Sequence, residues 1–126
     1  MEQGVQVFAA ISFLVIGLSH IFQPRAWVTY FQVLLAKGTT GAFFEGFLLL
    51  NFGAFIAAFH NVWDGPGVIL TLVGWVQLIK GAVRFIAPEI VLRIFARMTM
   101  ERAWQIQVSG GLALVLSAFF WWLRFR

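Results

Sequence analysis

Residues 68–87 read VILTLVGWVQLIKGAVRFIA. Apart from Lys80 and Arg84 the stretch has no charge, and it contains no proline. A bilayer core of ~30 Å takes ~20 apolar residues of helix to cross, and this run is of that length. Three further runs of the same kind lie at residues 5–22, 43–60 and 103–123. The reading is an all-α membrane protein. A single domain over residues 1–126 is expected, a four-transmembrane-helix bundle with helices at about 5–22, 43–60, 68–87 and 103–123.

Composition supports this class. Hydrophobic residues make up 61% of the chain and charged residues 11%, where soluble domains carry ~25% charged. A chain this short has too much surface per volume to hide so much apolar area from water. Glu2 is the only charge before the first run, so no basic segment precedes it and the run reads as a mature helix rather than a signal peptide. Cysteine is absent, which excludes disulfides, thiolate metal sites and a thiol nucleophile. The net charge of +4 collects beside the runs. The expected partner is therefore the lipid bilayer with its anionic head groups, not nucleic acid.

The basic residues also give an orientation. Arg25, Lys37, Arg93, Arg97 and Arg102 fall in the first and third connections, whereas Arg124 and Arg126 share the other face with Glu2 and Asp64. Short loops rich in Lys and Arg stay cytoplasmic. Both long loops are expected inside and both termini outside. The expected location is the cell membrane, in a bacterium the inner one. Trp27 and Trp104 fall at the inner boundary and Trp63, Trp121 and Trp122 at the outer one, where an indole finds both an apolar bed and a polar partner. Trp75, near mid-span, reads as a packing residue.

The two inner loops contain AWVTYFQVLLA (26–36) and EIVLRIFARM (89–98), each too short to span. In the second, Ile90, Ile94 and Met98 share one face and Arg93 and Arg97 another. Both read as short interfacial helices in the head-group plane. A shift of about sixty-four residues lays Gly17 on Gly81, Pro24 on Pro88, Phe31 on Phe95, Gly46 on Gly110 and Leu48 and Leu50 on Leu112 and Leu114. The chain thus reads as two tandem helix hairpins in parallel orientation, repeated about an axis along the membrane normal.

Polar residues inside the spans are the candidate site. A lysine at mid-helix costs ~2.5–3.5 kcal/mol on insertion scales, less what snorkelling recovers. Gln77, Lys80 and Arg84 follow at helical spacing on one face of the third run. His20, Glu45 and Gln107 fall at the same level on the other three. The candidate ion or ligand pathway is His20, Glu45, Gln77, Lys80, Arg84 and Gln107, with Glu45 paired to Lys80 or Arg84 so that both charges survive burial. The alternative is a structural pair beside a snorkelling arginine. Gly46 and Gly53 with Ala57, Gly74 with Gly81, and Gly110 with Gly111 read as close helix-packing stripes. Asn51 sits in mid-helix, where it either bonds across such a contact or lines a path. His20 and His60 lie at opposite membrane faces, so one haem cannot take both, and two distant histidines with few carboxylates make no metal cage. No cofactor or metal is expected.

The run Asn51-Phe52-Gly53-Ala54-Phe55 resembles the second helix of small dimeric fluoride channels, but the third run lacks their Gly-, Phe- and Thr-rich break. The four short helices are similar to those of small multidrug exporters, without the glutamate those carry in the first. Gly17-Leu18-Ser19-His20 followed by Pro24 resembles small DoxX-like four-helix proteins over one helix end. None of these assigns a family. No nucleophile–base set, metal motif or phosphate loop is visible, so an enzyme is not expected. The expectation is an oligomeric transporter or channel subunit for a small ion or solute, as a homo-oligomer or within a larger membrane complex. The alternative is a non-catalytic accessory or assembly subunit.

Overall fold

A computed structural model describes residues 2–126. The order of elements is α1 (Glu2–Phe22), α2 (Pro24–Ala36), α3 (Thr39–Phe59), α4 (Val68–Ile86), α5 (Pro88–Ala96), a 3-10 turn (Met100–Arg102) and α6 (Ala103–Phe125). Among the described residues there is no strand. Four helices are long and apolar enough to cross a membrane: α1, α3, α4 and the stretch from Met100 to Phe125. Four such helices are compatible with a small helical integral membrane protein. Helix ends run past the apolar runs: α1 starts at Glu2 rather than at residue 5, and α3 at Thr39 rather than at residue 43. Hydropathy marks the lipid-facing part of a helix, while its hydrogen-bond ladder continues into polar residues.

Prolines set the two sharp corners. Pro24 and Pro88 stand at the first turn of α2 and α5, where a missing N–H costs nothing. A proline disfavours helical geometry in the residue before it. Gln23 has φ −130 and ψ 50, and Ala87 has φ −134 and ψ 67, so α1 and α4 stop there. Gly38, at φ +60, turns the chain from α2 into α3, a backbone state other residues adopt only under strain.

The spans pack as two close pairs, α3 with α4 and α1 with α6. The two halves of the chain therefore do not each close on themselves as separate hairpins, since the tight contacts join one half to the other. Glycine allows this closeness. A Cβ on Gly53 would strike the backbone of Leu78, and one on Gly81 the backbone of Leu50. One on Gly17 would come within 2.9 Å of the Gly110 carbonyl oxygen. Gly46, Gly74 and Gly110 are similarly filled by their neighbours. Gly111 departs from the expected stripe: a Cβ there would meet open space, because it is turned away from the α1 face that Gly110 presses.

Apolar side chains are sorted as lipid permits. Val5, Ala9, Ala10, Ile56, Leu70, Phe120 and Leu123 form a buried core. Val15, Val108, Leu112 and Val115 point outward, more than half exposed, which in water would be an aggregation surface. The loop helices α2 and α5 touch each other: Phe31 lies 5.5 Å from Phe95 between ring centres, over buried Leu34 and Val91. On α5 the buried face is Val91 and Phe95, which leaves Ile90 and Ile94 exposed.

Candidate functional site

Gly46 lets α4 lie directly on α3, with Arg84 Cβ in the space a side chain would fill. That brings the Arg84 guanidinium to Glu45. Its Nε donates to Glu45 Oε2 at 3.1 Å, and its Nη1 donates to the Lys80 carbonyl at 2.9 Å. The side chains are 10% and 13% exposed. Tyr30 of α2 stands near this pair. Burial pushes its phenol up to about 12, with the Glu45 carboxylate adding to the shift and the Arg84 guanidinium opposing it.

Of the two pairings open to Glu45, the structure contains the one with Arg84. Lys80, expected inside the cluster, is exposed on α4 and meets no carboxylate within bonding distance among the described residues. The reason is helical phase. Gly74 and Gly81 fix which face of α4 meets α3, and Lys80 lies to the side of that line while Arg84 remains close enough to reach across.

The other expected members do not join them. His20 stacks on Trp27, 4.3 Å between ring centres, and its Nδ1–H donates to the Ile16 carbonyl at 2.8 Å. Trp27 Nε1 donates to Ser19 Oγ at 2.9 Å. Gln107 is exposed, and its Nε2 donates to the Ile21 carbonyl at 3.2 Å. Gln77 is half-buried beside an apolar groove. His20 and Gln107 bond on the α1/α6 pair and Glu45 and Arg84 on the α3/α4 pair, and the two are linked through the rings of Trp27 and Tyr30, 5.4 Å apart between centres.

No protein-family model matches the chain, and no curated protein or solved structure matches it at a significant level.

A third polar group was not foreseen. His60, which reads as a boundary residue, is fully buried at the far end of the bundle. Its Nδ1 is 3.1 Å from Thr71 Oγ1 and its Nε2 is 3.2 Å from Gln6 Nε2. One tautomer satisfies all of these contacts: Nδ1–H donates to Thr71, and bare Nε2 accepts from the Gln6 amide. Thr71 Oγ1 also accepts the Val62 N–H at 3.0 Å and gives its proton to the Val62 carbonyl at 2.9 Å. α1, α4 and the end of α3 are tied together there. The only sequence signal is the short turn that returns the chain from His60 to Thr71.

Two further polar groups of the spans bond to helix carbonyls. Asn51 Nδ2 donates to the Phe47 carbonyl at 2.7 Å, one turn back in its own helix. Ser117 Oγ donates to the Ala10 carbonyl at 2.7 Å across the α1/α6 contact. Among the described residues no buried side-chain nitrogen or oxygen lacks a partner, and no three His, Cys, Asp or Glu side chains gather as metal ligands would.

Proposed function

We propose that the protein is a non-catalytic subunit of a larger membrane assembly, engaged through its lipid-facing surface. One observation carries this reading. Buried polar atoms, Glu45 and Arg84 foremost, are satisfied within the chain, whereas Lys80, Asn51 and Gln107 lie on the outside. A charge pair closed within the chain fixes helix register and offers little to a passing ion. Extraction in mild detergent, with light scattering and cross-linking, tests this. A second protein in fixed stoichiometry is expected. A pure homo-oligomer would instead favour the second reading, an oligomeric transporter or channel for a small ion or solute. Lys80 speaks for that reading, as an unpaired cation that several copies could enclose.

Orientation and repeat belong to the same proposal. The Lys/Arg asymmetry puts α2 and α5 on the cytoplasmic side, and both termini outside. α2 and α5 lie as interfacial helices, with Ile90 and Ile94 toward the lipid. An internal duplication explains a set of matching contacts. Gly46 faces Arg84 Cβ and the Gly81 carbonyl, and Gly110 faces His20 Cβ and the Gly17 carbonyl. Arg84 bonds the carbonyl of Lys80, and His20 that of Ile16. Each second member lies about sixty-four residues from the first. Phe31 packs against Phe95, its own counterpart, where the axis of a parallel repeat would pass.

A further inference from the structure

The α1/α6 and α3/α4 pairs meet largely through rings. Phe8 packs on Phe52 and Phe55, at 5.4 and 4.9 Å between ring centres, and Phe13 on Phe52 at 6.0 Å. Among the described residues one hydrogen bond joins residues 2–22 and 103–125 to residues 39–86: the Gln6 amide donates to His60 Nε2 at 3.2 Å. At the loop end α2 touches both α3 and α6, and its Phe31 meets Phe95 of α5. At the end that carries Glu2 and Arg126, the Gln6–His60 bond is the polar tie between the pairs.

That tie suits a neutral ring. His60 stands just past the α3 span, which ends at Phe59, and is fully buried. Its Nδ1–H is engaged by Thr71 Oγ1 at 3.1 Å, so a second proton must go to Nε2, the atom that accepts from Gln6. Gln6 would then have to reverse its amide, and the imidazolium would still lie buried without a counter-charge. Burial accordingly holds the ring below its ordinary pKa, and Glu2 opposes that shift. Glu2 is exposed on α1, one turn before Gln6. Between Glu45 and Lys80 the chain carries no other charge than Asp64, which is exposed in the turn. Arg124 and Arg126 of α6 lie over the rings of Phe125 and Trp122, at 5.0 and 5.8 Å. Glu2 also borders an open cleft of about 500 Å3, together with Gln3, Ala58 and Phe59.

We propose that His60 is a proton-operated latch: a proton on Nε2 frees the ring from Gln6 and Thr71, the imidazolium turns into the cleft toward Glu2, and the α1/α6 and α3/α4 pairs part at this end. Thr71 stays satisfied, because it keeps the Val62 N–H and carbonyl. α2 and α5 remain closed, so the motion hinges about the loop end. The tie is intact above the ordinary imidazole value of ~6.5 and is lost as pH falls below it. The latch works the same way in an assembly subunit or a transporter, and whichever side of the membrane the termini face.

Nitroxides on Gln3→Cys and Ala58→Cys, two exposed positions across the cleft in this thiol-free chain, test it by their dipolar broadening in phosphatidylcholine nanodiscs. The broadening present at about pH 7.5 should be lost at about pH 5, on the two sides of the imidazole value. Gln6→Glu keeps the shape and supplies the missing counter-charge, and should hold the broadening at both. His60→Asn keeps an amide for Thr71 but cannot titrate, and should show no response to pH. Glu2→Gln should shift the response to lower pH. His20→Gln removes the other histidine, at the opposite end, and should leave the response unchanged. Constant broadening in the wild type would overturn the inference, as would a wild-type response in Gln6→Glu or His60→Asn or an unshifted one in Glu2→Gln. Loss of the response in His20→Gln would overturn it too, by placing the sensor at the loop end.

Discussion

Glu45 and Arg84 can be tested as a pair by a double-mutant cycle. The guanidinium and carboxylate meet at 3.1 Å with side chains 10% and 13% exposed, so solvent screens them weakly. Removing one partner of a buried pair costs ~3–5 kcal/mol, because the other charge is left in a medium of low dielectric. Glu45→Gln keeps an amide oxygen for Arg84 Nε, and Arg84 keeps the Lys80 carbonyl, which sets that variant near the lower figure, ~3 kcal/mol. Arg84→Met leaves Glu45 with no other cation at bonding distance, and should cost toward ~5 kcal/mol. The double variant has no charge to strand. Replacing a buried pair by well-packed neutral groups is often neutral, so it should return to within ~1 kcal/mol of wild type. The expected coupling is then several kcal/mol, well above the ~0.5 kcal/mol of independent sites. Reversible unfolding in mixed micelles, followed by tryptophan fluorescence, gives all four corners. Additive single costs, or single costs below ~1 kcal/mol each, would show that the contact is too wet to matter.

Three further outcomes follow from other parts of the molecule. Cysteines placed at Lys37 and Asp64 in this thiol-free chain should be labelled from opposite sides, Asp64→Cys from outside, and labelling of Lys37→Cys from outside would reverse the orientation. Gly53→Ala should destabilise by ~1–3 kcal/mol, since its Cβ would strike the Leu78 backbone, whereas Gly111→Ala faces open space and should be neutral or slightly stabilising by helix propensity; equal thermal shifts for the two would refute the packing. The raised Tyr30 phenol favours the neutral form in the folded state, so its contribution is intact below about pH 10 and is lost as pH rises toward about 12; unfolding midpoints across that window should fall more steeply for wild type than for Tyr30→Phe.

The spans were legible because lipid imposes one strong demand, a long apolar helix, and residues 68–87 meet it openly. Pro24 and Pro88 marked the corners for an equally local reason. The glycine stripes gave close contacts at Gly46, Gly53, Gly74, Gly81 and Gly110, but not at Gly111. A stripe identifies a face able to pack, while rotation of the whole helix decides which glycine does. The same degree of freedom misplaced Lys80. Gln77, Lys80 and Arg84 share a broad arc, and only the contacts of Gly74 and Gly81 with α3 determine which part of that arc is covered. His60 was misread because its partners, Gln6 and Thr71, come from two other helices. No spacing along one segment reports such a meeting.

If the halves arose by duplication, positions 20 and 84 were once the same, as were 45 and 109. They now hold His and Arg, and Glu and Ser. Arg84 and Glu45 meet on the α3/α4 pair, and His20 and Ser109 lie on α1 and α6. Electrostatics favours that division over a mixed one, because Arg84 facing a serine at position 45 would lack a counter-charge, and Glu45 without the guanidinium at position 84 would fare no better. Arginine and glutamate had to appear on the same interface to be stable in lipid. His20 instead sets its Nδ1–H on a backbone carbonyl and its ring on Trp27. The asymmetry is then one of polar chemistry: one interface keeps an ion pair, and the other sets His20 against Trp27. The ion pair within the spans therefore belongs to the α3/α4 side of the protein.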